Sequence, residues 1–154
     1  MIQPALAVAA GIEQLTALCE AYLDYVGRRV WPGGCFFASV ASEVGGRSGA
    51  IHHRVAGEHR QWVELLADNV RRAIAVGELT AAEDPEQLAA ELSTMLTGAD
   101  IAYLLHEDPS ILDRVRVGIR ARVEHWSGNG ATVQKRKNKN SKPKTQRPKL
   151  KNQK

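Results

Sequence analysis

Apolar residues in this chain return every three or four positions, and sustained every-second-residue alternation is absent. Ile12, Leu15, Cys19, Tyr22, Val26 and Val30 trace one face of a helix, and Pro32-Gly33-Gly34 breaks it. A short helix from about Cys35 to Val44 follows. The loop Gly45-Gly46-Arg47-Ser48-Gly49 then offers Ser48 as a cap for the next helix. Ile51, Val55, His59, Trp62, Leu66, Val70 and Ala73 keep helical spacing up to Gly77, a residue suited to a C-terminal stop.

Two Asp-Pro pairs mark the remaining starts. Asp84-Pro85 places a carboxylate at a cap and a proline where its missing N–H does no harm, with Gln87 positioned to close a capping box. The helix it opens runs through Leu88, Leu92, Met95 and Ala99 to His106. Asp108-Pro109 opens the last one, with Leu112, Val115, Ile119, Val123 and Trp126 along one side. The expectation is an all-α body, a bundle of about five helices.

Charge divides the chain in two. Residues 1–126 hold all 17 acids against 11 arginines and no lysine, a net of −6, whereas residues 127–154 hold no acid and 10 cations, eight of them lysine. One helical domain over 1–126 is therefore expected, followed by a basic tail over 127–154 with too little apolar surface to offset the entropy of ordering. Such a tail is expected to be disordered. Its cations, among them Lys135, Arg136, Lys137 and Lys139, suit weak, salt-sensitive contact with phosphate backbones, without the aromatics that a single-strand platform needs.

The pieces in order resemble the C-terminal ligand-binding and dimerisation domain of the TetR family of transcriptional regulators: an amphipathic helix ending in WPGGCFF, a short helix, a long helix closing in AVGEL, then DPEQLAAELSTMLTGADIAYLL and DPSILDRVRVGIRARV. The likeness spans roughly residues 5–125. It implies a regulator that pairs with a second copy and binds a small, largely apolar effector. In that family a helix-turn-helix reads DNA ahead of this domain. No such segment precedes Ile12, since residues 1–11 carry no charged side chain. DNA contact is expected through a domain that is missing here, or weakly through the tail. The alternative is a stand-alone helical dimerisation module tethered to nucleic acid by that tail.

The resemblance places the effector cavity beside the aromatic corner and the long helix, so Trp31, Cys35, Phe36, Trp62 and Leu66 are the expected ligand neighbours. Their bland reading is core packing. The dimer is expected to use the last two helices, through Leu92, Leu96, Ala99, Tyr103, Leu112, Val115 and Ile119, where small residues let a partner helix approach.

No cofactor, metal or catalysis is expected. His52 and His59 share a helix face, but seven residues of helix separate them by about 10 Å, too far for one ion unaided. The glycine-rich GGRSG lacks the lysine of a phosphate loop, and no nucleophile setting is recognisable. Two cysteines without a disulfide framework, the lack of a cationic leader and the lack of an uninterrupted apolar run of about 18 residues indicate a cytoplasmic protein without a membrane span.

Overall fold

A computed structural model describes the backbone of residues 2–81 and 84–140, with side chains through residue 127. Among the described residues there are five α-helices and no strand: α1 (Ile12–Gly27), α2 (Phe36–Val44), α3 (Ala50–Ala75), α4 (Pro85–His106) and α5 (Ser110–Asn140). A 3-10 turn, Ala5–Ala7, precedes them and packs on α1.

The centre of the bundle is α4. It packs on α1, α3 and α5, and buries Leu88, Ala89, Leu92, Ser93, Leu96, Ala99, Asp100 and Tyr103. By length and composition α4 is apolar enough to cross a membrane, yet this buried face is shared with the other helices of the domain. Leu15, Leu18, Leu23 and Val26 from α1 and Leu66 and Val70 from α3 meet it, with Leu112, Ile119, Val123 and Trp126 from α5 completing the same core. Each fully buried leucine contributes about 1.5–3 kcal/mol. Helix α2 differs from the rest, because it lies against α3 and buries none of its own residues.

Local chemistry explains most boundaries. The Asp84 carboxylate accepts from the Glu86 N–H at 3.1 Å with Pro85 at the first helical position, and Asp108 accepts from the Ser110 N–H at 2.9 Å. Gly77, at φ 82°, follows the end of α3.

Four boundary details differ from the sequence reading. α1 stops at Gly27, because Arg29 turns into the left-handed region at φ 47°, and Val30 therefore leaves the buried stripe. Gly49, not Ser48, caps α3, with no side-chain hydrogen bond. The capping box at α4 does not close either, since the Gln87 side chain donates to Glu91 one turn on. The helical backbone of α5 continues to Asn140, past the composition boundary at 127. The expectation of a disordered tail falls on side chains from 128 and on residues 141–154, which lie outside the described residues, as do the side chains of Lys135, Arg136, Lys137 and Lys139.

Candidate ligand site at the aromatic corner

The WPGGCFF corner joins α1 to α2 and folds its backbone onto α4. Gly34, at φ 76°, donates its N–H to the Trp31 carbonyl at 3.0 Å and sits where a Cβ would stand 2.2 Å from Asp100 Oδ1. Glycine is required there twice over, by the backbone angle and by the space. The next amide, that of Cys35, donates to both Asp100 oxygens, at 3.1 and 3.2 Å. The Ser39 hydroxyl ties the corner from the other side, donating to the Gly33 carbonyl at 2.6 Å.

Behind the corner lies a small polar cluster. Asp100 is only 1% exposed, and burial raises its carboxyl above the ordinary value while the Cys35 amide pulls the other way. Tyr22 lies near Cys35 and Thr97, and burial first, then the nearby thiol and carboxylate, push its ionisation up. Tyr22 stacks on Trp62 with centroids 6.0 Å apart and planes at 30°. One turn earlier on α1, Cys19 is sealed in the core, and burial with some help from Glu20 pushes its thiol up to about 12. Such a thiol stays protonated and inert.

Thr97 also borders an open groove of 760 Å³ between α3 and α4, whose walls include His59, Val63, Ser93, Gly98 and Ile101. An apolar floor with a few hydroxyls is a common lining for small-molecule sites. The same walls also carry the charged Arg60 and Glu64 and the hydroxyl-bearing Thr94. On chemistry the junction can therefore hold a molecule of modest size, with Tyr22, Thr97 and Ser93 offering hydrogen bonds.

The five residues expected to meet a ligand are not gathered around one cavity. Trp31 and Phe36 are exposed on the outside of the corner, edge to face at 5.6 Å, and Phe37 extends the row at 5.5 Å. Cys35 and Trp62 flank Tyr22 on the inside. Leu66 has no exposed surface and belongs to the core, so it has no area to give a ligand. Asp100, Tyr22 and Thr97 were not singled out from the sequence. The signal for Asp100 was present, since it is a carboxylate lying on the buried stripe between Leu96 and Tyr103. Among the described residues no group of three or more metal-ligating side chains comes together, and His59 is exposed.

Residues 11–119 match the family model for the tetracyclin repressor-like C-terminal domain. The chain belongs to the TetR family. Comparison with curated proteins finds no match. TetR C-terminal domains generally dimerise and bind small ligands, and at family level they are regulatory and not catalytic.

Within this TetR domain, the side chains expected at a dimer interface are turned inward. Leu92, Leu96, Ala99, Tyr103, Leu112 and Ile119 are buried in the monomer, and Val115 packs against the same core. A side chain already enclosed by its own chain has no surface left for a partner. The outer faces of the same two helices carry the unspent apolar area: Ile101 is 53% exposed, Leu105 73% and Val117 66%. Gly98 lies on that outer side of α4, with open space where its Cβ would be.

Proposed function

We propose that residues 1–126 form the effector-sensing and dimerising part of a cytoplasmic TetR-like transcriptional repressor, acting as a homodimer. The match of residues 11–119 to the family's C-terminal domain carries this reading. A small, largely apolar effector would bind between the α3–α4 groove and the corner, drawing on Cys35 and the stacked Tyr22–Trp62 pair, with Trp31 and Phe36 on the outer side of the corner and Leu66 in the core. Dimerisation would join α4 and α5 of two copies into a four-helix bundle, with Leu105 and Val117 in contact and the buried stripe supporting them from behind. Effector binding acts by population shift, favouring the conformation in which DNA-reading heads no longer fit their half-sites. Those heads belong to a domain that these residues do not contain.

The test is a thermal-shift screen of small apolar compounds on the full chain and on a chain lacking residues 131–154. A ligand that raises the melting temperature equally in both supports the sensor. Stabilisation that requires the tail, or none across a broad screen, counts against it.

The segregation of charge favours a second reading, a helical dimer tethered to nucleic acid by its tail. It requires DNA binding that weakens steeply with salt and vanishes on deletion of residues 131–154.

A further inference from the structure

Arg29, Arg54, Arg71, Arg116, Arg120 and Arg122 each meet a carboxylate. Arg60 does not. It stands exposed in the wall of the α3–α4 groove with no ion pair or hydrogen bond among the described residues, and His59 beside it in the same wall has none either. The acidic side chain of that groove is already engaged. Glu64, one turn further along α3, accepts from Arg71 Nη1 at 2.9 Å, and the same guanidinium also meets Asp68 and Glu86. Three carboxylates around one arginine leave that end of the rim acidic. The rim is therefore polarised along α3, basic at Arg60 and acidic from Glu64 onward.

The opposite wall suits an apolar body. Ala90, Thr94, Thr97, Gly98 and Ile101 follow one another at helical spacing along α4, facing Val63 on α3. The hydroxyl protons of Thr94 and Thr97 are committed to carbonyls of their own helix, those of Ala90 at 2.8 Å and Ser93 at 3.0 Å. What these two threonines have left to offer is a methyl group and acceptor lone pairs, neither of which holds an anion. A negative charge in the groove is met at Arg60 and His59, and repelled toward Glu64. The stripe from Ala90 to Ile101 covers about 16 Å of helix, enough for a chain or ring system of modest size.

We propose that the α3–α4 groove binds an amphipathic carboxylic acid, its carboxylate paired with Arg60 beside His59 and its apolar body laid along Val63 and the α4 stripe. A guanidinium takes a carboxylate through two parallel hydrogen bonds. One unpaired arginine balances one negative charge, whereas a phosphate monoester brings nearly two and leaves the excess facing Glu64. This assignment rests on the sensor reading and names the chemical class of its effector.

Calorimetric titration of the full chain with decanoate, decanol and decyltrimethylammonium, each below its micelle concentration, tests it. Decanoate should bind about tenfold more tightly than decanol, and the quaternary ammonium should bind more weakly than either. Arg60→Gln should bring decanoate down to the level of decanol and leave decanol unchanged. The basic tail is present in both proteins, so that loss reports the groove alone. Gly98→Leu, at a position with open space for a side chain, should weaken decanoate and decanol together by filling the stripe. Equal binding of acid and alcohol, or an affinity for decanoate that survives Arg60→Gln, overturns the carboxylate assignment and leaves the sensor reading standing. No binding of any of the three probes overturns it as well, and the fate of the sensor then rests on the broader screen of apolar compounds.

Discussion

Arg122 on α5 reaches across the seam to Glu91 on α4, where Nε donates to Oε2 and Nη2 to Oε1, and its guanidinium lies 5.3 Å from the Trp126 ring centre. Both members keep under a third of their side-chain surface in water. A two-pronged pair of this kind is stronger than a single surface contact, though solvent still screens it. The hydrogen bond from Arg122 is the main cause holding the Glu91 carboxyl below its ordinary value.

Replacing Glu91 with glutamine is expected to cost about 1 kcal/mol at neutral pH. The sign of the pH effect follows from that lowered carboxyl. Its contribution is present above the unfolded carboxylate range and is lost as pH falls through the lower folded value. Urea denaturation of wild type and Glu91→Gln at several pH values should show their midpoints converging in acid. A gap of constant size down to low pH would mean that the pair's charge adds nothing.

Gly34 and Gly77 both have positive φ, at 76° and 82°, but only Gly34 is crowded. An added methyl at Gly77 meets open space, so Gly77→Ala should show backbone strain alone, about 1 kcal/mol. At Gly34 the same methyl collides with Asp100 Oδ1 and Leu104 Cδ1, and the corner must shift. Gly34→Ala should cost about 2–3 kcal/mol, and thermal melts of the two variants side by side read the difference. Equal losses would show that the close approach to Asp100 has no energetic weight.

The helices were legible because their punctuation is chemical. Asp84-Pro85 and Asp108-Pro109 each cap a helix start in the structure as the sequence pattern requires. What the pattern could not reveal was which apolar side of α4 faces its own chain. That helix is apolar on several sides, so Leu92 and Ile101 look equally suitable for either role, and only packing against α1, α3 and α5 separates them. The row of small residues divides in the same way, with Ala99 buried and Gly98 outside. The Asp100 contact was illegible for a different reason. Its partner is a backbone amide 65 residues earlier, and a backbone N–H leaves no mark in a sequence.

That division of α4 gives a sharp contrast between two leucines. Leu105→Glu places a charge on the outer face, and should convert a dimer to a monomer with little change in the monomer's own fold. Leu92→Ala instead opens a cavity in the core, and should cost about 2–5 kcal/mol whatever the oligomeric state. Light scattering coupled to size exclusion reads the first effect and denaturant titration the second. A Leu105→Glu protein that stays dimeric would place the interface elsewhere.

Asn69 carries the last prediction, because one buried side chain does two jobs. Its Nδ2 donates to the Leu65 carbonyl on α3 at 3.0 Å, and its Oδ1 accepts the Gly11 N–H at 3.1 Å. The second bond fixes the entry to α1 where Glu78 also takes the Ile12 N–H, and the Gln14 side chain holds the Leu6 and Val8 carbonyls just before it. Asn69→Ala removes the acceptor and leaves a sheltered amide without a partner, at a cost of about 1–3 kcal/mol. Asn69→Asp keeps an acceptor for Gly11 but gives up the donor to Leu65, and brings a charge to a position that is almost fully enclosed. Both variants should speed exchange of the amides in residues 2–12 more than those of α4. Uniform acceleration across the chain would instead mean that Asn69 supports the whole core and not the N-terminal segment.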